Sequence, residues 1–145
     1  MTRDEIAKLI EDEIDCGMII TQEFTEETGL TVEQLRKITS CYGAGMLRGE
    51  TCGAVIAAYN VIGLMYGHCK EHDNEQKGIM LSKMLRFNEL FEEIYPSYMC
   101  KEIMGADITT KEGGRKIMEE NLLMTHCPDV IYDVLNILEE VVNED

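Results

Sequence analysis

The stretch "TCGAVIAAYNVIGLMYG", residues 51–67, contains no charged side chain, and its reading decides the fold. A helix that is apolar around its whole circumference belongs in the middle of a bundle. With Asn60 at its centre it is too short and too polar to span a membrane, which takes roughly 20 apolar residues. Its alanines and glycines let neighbouring helices approach closely. The sequence therefore predicts a central helix over 52–67, with Thr51 as its N-cap.

Upstream, "GAGMLRGE" (43–50) is a glycine-rich loop. A phosphate-binding loop would place Lys and Ser/Thr after its last glycine, whereas here Glu50 and Thr51 follow Gly49. A dinucleotide fingerprint would follow a strand, and the preceding residues read as helix. Phosphate binding is therefore not expected.

Further out, the apolar positions Ile6, Leu9, Ile10, Ile14, Met18 and Phe24 predict one helix over 3–28, capped by Thr2 with Glu5 and ended by Gly29. Thr31 and Gln34 open a second helix over 32–42. Beyond the central helix, 68–78 reads as a polar connection. A fourth helix runs from Ile79 to Pro96, and Ser97 caps a short fifth helix that Gly105 closes. Thr109 with Glu112 caps a helix near 114–124, and Pro128, at a first helical position, starts the last one. The expectation is a single all-α domain, 1–145, with six to seven helices around the charge-free helix 52–67.

The chain has 28 acidic against 13 basic residues, a formal net charge of −15. Such a charge repels phosphate backbones and anionic bilayers, so neither nucleic-acid binding nor membrane insertion is expected. The N-terminus lacks a signal-peptide pattern, which predicts a cytoplasmic protein. Six cysteines in a reducing compartment are then thiols, metal ligands or transient redox partners rather than structural bridges.

No two cysteines are spaced C-x-x-C. Cys52 follows the Thr51 cap, Cys100 lies in the first turn after Ser97, and Cys127 precedes Pro128. Helix starts favour an anion and lower a thiol's pKa. Cys16 reads as mid-helical and without that help. Cys41 and Cys69 read as small, buried, inert hydrophobes. His68 and His126 read as solvated, the methionines as core filler, and the paired glutamates as solvated helix faces. No general base, nucleophile–base pair or cofactor motif emerges, so no substrate-transforming site is named.

The segment "GAGMLRGETCGAVIAAYNVIGLMYG" together with Cys16, Cys100 and Cys127 resembles the C-GCAxxG-C-C family of redox-active proteins. The resemblance covers nearly the whole chain and places the family's four cysteines on Cys16, Cys52, Cys100 and Cys127. The central motif appears as Cys52, Gly53 and Ala54, with Ala57 where the family has glycine. It implies that the four cysteines converge, with the backbone of Gly53 and Ala54 packed around Cys52. They would then serve as two dithiol pairs cycling through disulfides, as an iron–sulfur cluster, or as a zinc site. A redox partner protein is implied, and homodimerisation stays open. The alternatives are a structural or storage zinc protein, and a helical interaction module whose cysteines are inert core residues.

Overall fold

The computed structural model describes residues 1–144. Its helices are α1 (Arg3–Glu11), α2 (Cys16–Gln22), α3 (Thr25–Thr28), α4 (Val32–Ile38), α5 (Gly53–Tyr66), α6 (Asn74–Ile94), α7 (Cys100–Met104), α8 (Lys111–Glu119) and α9 (Leu122–Asn143). A wide turn, Gly45–Gly49, precedes α5. The fold is all-α, and the only extended pairing among the described residues is an antiparallel bridge between Thr51 and Met99. No helix in this region is long and apolar enough to cross a membrane.

The charge-free helix is central, as predicted. α5 packs against α2, α6 and α9. Its Ala54, Val55, Ala57, Ala58, Val61 and Ile62 are at most 1% exposed. Each fully buried Val or Ile there contributes about 1.5–3 kcal/mol. Asn60 is tolerated because its Nδ2 donates to the Tyr42 hydroxyl at 2.8 Å. Around α5 the core runs from Ile6 on α1 to Val141 on α9, through Phe87 and Phe91 of α6.

The first predicted helix is in fact three. After α1 the chain enters a left-handed residue, Glu13 (φ 63°). The N–H of Ile14 donates to the Leu9 carbonyl and that of Glu13 to the Ile10 carbonyl. This is a Schellman ending with glutamate in the place usually held by glycine, so composition gives no warning of it. The break puts Cys16 at the start of α2 instead of in mid-helix.

The last helix departs in the opposite sense. It begins at Leu122, not at Pro128, which lies inside it. Proline there removes the bond to the Met124 carbonyl, but Leu122 is 6% exposed and clusters with Met104 and Ile117, which anchors the extra turn. Smaller corrections concern caps. Thr110, not Thr109, caps α8, and Asp73 starts α6 inside the predicted polar connection. Gly29 and Gly105 do end their helices in left-handed conformation, as expected.

Candidate functional site

Cys16, Cys52, Cys100 and Cys127 come from four helices and line one cavity of about 280 Å³. The rest of its wall is mostly apolar, including Ile103, Val130 and Ile131, with the Met104 thioether among them. Glu13 and Asp15, both exposed, mark where it meets solvent. Cys52 is 9% exposed. Cys16, Cys100 and Cys127 are half-buried. Cys41 and Cys69 lie apart and are exposed, not the buried hydrophobes expected of them. His68 is exposed in the connection before α6. His126 sits on α9, its Nδ1 2.8 Å from the Thr125 hydroxyl, and does not line the cysteine cavity.

Three of the four cysteines do begin helices, though not the three that local sequence indicates. Cys16 is the first residue of α2, Cys52 is the N-cap of α5, and Cys100 is the first residue of α7, while Cys127 is interior to α9. Thr51 is therefore not the cap of α5; it belongs to the bridge with Met99. That bridge couples two of the helix starts. The Cys52 N–H donates to the Tyr98 carbonyl at 2.7 Å, and the Cys100 N–H donates to the Glu50 carbonyl at 2.6 Å.

The glycine-rich loop supports this junction through its backbone. Ala44, Gly45, Met46 and Leu47 are all left-handed, with φ between 53° and 60°. Each non-glycine residue there costs roughly 1–2 kcal/mol. At Gly45 a Cβ would stand 2.6 Å from the Glu50 nitrogen and 3.0 Å from the Cys100 Cβ. Gly53 also makes room for a second sulfur. A Cβ there would stand 2.5 Å from Cys16 Sγ, so this glycine admits the sulfur of α2 against the start of α5.

Burial pushes all four thiols above their usual pKa. For Cys16 the shift is large, with Cys52 and Cys127 adding to burial and the Gly17 N–H opposing it. Cys100 is pushed up to about 11 by burial and by Cys52. Cys127 reaches about 12 through burial, Cys52 and Cys100. Cys52 is raised by burial alone, while the N–H groups of Ala54 and Val55, directed at its sulfur, pull it back. Cys52 is thus the thiol whose charge the other three feel. Tyr95 feels it too. Its pKa is raised chiefly by burial and by its 2.5 Å hydrogen bond to Asp133 Oδ2.

The four cysteines line a shared space. Among the described residues, no three His, Cys, Asp or Glu side chains are gathered closely enough to hold a metal ion. Four thiols gathered at one mostly apolar cavity are what the structure supplies for chemistry. Local sequence gave no sign of Glu13, Asp15 or Met104 at the cavity. The one available signal was the Asp15–Cys16 adjacency, hidden by reading 3–28 as a single helix.

Ala57, where the family motif has glycine, is fully buried in the core and does not line the cavity. Its methyl group therefore lies in the helical core, outside the lining of the cavity. No curated protein and no solved structure matches the chain. The sequence profile of the family described as "Putative redox-active protein (C_GCAxxG_C_C)" matches residues 14–141, and the chain belongs to that family.

Proposed function

We propose that this chain is a dithiol–disulfide redox protein in which Cys52 attacks and Cys16 resolves. The observation that carries the reading is the meeting of four cysteines from four helices at one cavity with a mostly apolar wall. Cys52 is the attacking thiol because the Ala54 and Val55 N–H groups, directed at its sulfur, stabilise its thiolate. Cys16 is the resolving thiol because its sulfur rests on Gly53, the residue next to Cys52.

The oxidant is a disulfide borne by a partner. The Cys52 thiolate attacks one of its sulfurs, the partner's S–S bond breaks, and the departing thiolate takes up the proton that Cys52 released. Cys16, losing its own proton, then attacks the Cys52 sulfur of the mixed disulfide and expels the partner's second thiol. Two electrons pass to the partner, which leaves as two thiols, and the chain keeps a Cys16–Cys52 disulfide. Cys100 and Cys127 supply a second dithiol of the same kind.

The test is anaerobic purification followed by metal, acid-labile sulfide and free-thiol analysis on one sample, then stepwise oxidation with 2-hydroxyethyl disulfide. The expected result is that the first oxidation removes two cavity thiols, mapped by mass spectrometry to Cys16–Cys52. Cys52→Ser should abolish that step. Acid-labile sulfide with iron held by the four cysteines would replace this reading with a cluster, and stoichiometric zinc would replace it with a metal staple. Four unreactive cavity thiols without metal would make them core residues.

A further inference from the structure

We infer that the cysteine cavity selects a cationic disulfide, one whose reactive sulfur is flanked by positive charge, over neutral and anionic ones. The inference rests on the dithiol reading above and deepens it. Apart from the cysteines, the ionisable side chains among the described residues lining the cavity are Glu13 and Asp15, with no Lys or Arg.

Asp15 is the N-cap of α2, the position where an aspartate ordinarily accepts a backbone N–H, yet its side chain makes no cap bond. It lies instead over Gly43, where a Cβ would come within 3.4 Å of its carboxyl carbon. Asp15 and Gly43 both line the cavity. Glu13 takes up a left-handed conformation (φ 63°) that brings a second carboxylate to the same wall. Burial and the Glu13 charge both raise the Asp15 pKa, so the two negative charges act on one another.

The surroundings add no compensating positive charge at the wall. Lys101, the residue after Cys100, lowers the pKa of Asp107 and is not among the lining residues. A second pocket of about 470 Å³ lies across Ile103 and Val130, residues it shares with the cysteine cavity. Its charged lining residues are Glu102 and Asp129, with His126 beside them, and Asp129 is paired with Arg3 at 2.9 Å. The charged lining of the cysteine cavity is therefore carboxylate alone, on a chain of net charge −15. A focused field of this kind raises the local concentration of cations and depletes anions, by roughly ten- to a hundredfold in rate.

The experiment uses two methanethiosulfonates of similar size, trimethylammonium-ethyl and sulfonatoethyl, which transfer a cationic or an anionic thiol to a protein sulfur. Each forms a mixed disulfide and releases methanesulfinate. The reduced full chain carries Cys41→Ser and Cys69→Ser, so that the exposed thiols do not contribute. The expected result is that the cationic reagent modifies Cys52 at least about tenfold faster at low salt, and that the ratio shrinks in about 1 M salt, where screening acts within roughly 3 Å.

Glu13→Gln with Asp15→Asn should reduce the ratio severalfold. Glu26→Gln with Glu27→Gln, on exposed α3 and outside the cavity, changes net charge equally and should leave most of it. A ratio near one, or an equal fall in both double variants, overturns the inference while leaving the dithiol reading standing. If neither reagent modifies a cavity thiol of the folded protein, both fail together.

Discussion

The sulfur of Cys16 lies against the backbone of Gly53. A Cβ on Gly53 would stand 2.5 Å from Cys16 Sγ and 2.6 Å from the Tyr42 carbonyl oxygen. The sulfur could swing away, but the carbonyl belongs to the backbone and cannot. Gly53→Ala should therefore cost about 1–3 kcal/mol of stability, as overpacking does, and separate α2 from the start of α5. Chemical denaturation measures the first effect. The yield of the Cys16–Cys52 disulfide under mild oxidation measures the second, and a full yield would detach Gly53 from the positioning of Cys16.

The left-handed run over 44–47 supports a paired prediction. Leu47 sits at φ 58° and is 73% exposed, so its side chain contributes little burial to set against its strain. Leu47→Gly should be neutral or stabilise by up to about 1 kcal/mol, the relieved strain outweighing the entropy glycine adds to the unfolded chain. Gly45→Ala should do the reverse. Its Cβ would strike the Glu50 nitrogen and oxygen, and Glu50 accepts the Cys100 N–H. Faster amide exchange at Cys100 in that variant is the specific readout. A Leu47→Gly variant losing more than about 1 kcal/mol would contradict the account of the turn.

Much of the fold could be read locally because its signals are local. The missing charges of 52–67 marked the central helix, and the capping boxes at Thr2 and Thr31 were visible as residue pairs. The breaks that build the site were not, because they depend on residues acting against type. Glu13 ends α1 in the conformation glycine prefers, and Pro128 sits inside α9 because Leu122 is buried against distant Met104 and Ile117. Those two features exchange the expected surroundings of Cys16 and Cys127. The convergence of the four cysteines came from the family resemblance. The carboxylates beside them emerged only with the break after α1.

Ala57 offers a separation of stability from chemistry. It is fully buried on α5 and away from the cavity lining. Ala57→Gly, which restores the family motif, should lower stability by about 1 kcal/mol through helix propensity alone, with a further loss from the vacated methyl. The rate at which Cys52 is modified should stay within about twofold. A large change in that rate would mean that position 57 does shape the site.

Alkaline pH should weaken the reduced protein through the buried thiols. For Cys127 the usual value is 9.0, and in the folded chain burial, Cys52 and Cys100 push it up to about 12. Between those values the unfolded chain has released the proton and the folded chain has not. Stability is therefore complete below about pH 9 and falls as pH rises toward 12, by up to about 1.4 kcal/mol per pH unit for this thiol. Urea midpoints at about pH 8 and about pH 10.5, compared between the reduced parent and Cys127→Ala, isolate the effect. The parent should lose up to about 2 kcal/mol more than the variant over that interval. Parallel losses would mean that the Cys127 thiol is as free to ionise in the folded chain as in the unfolded one, against its burial in the thiol-lined cavity.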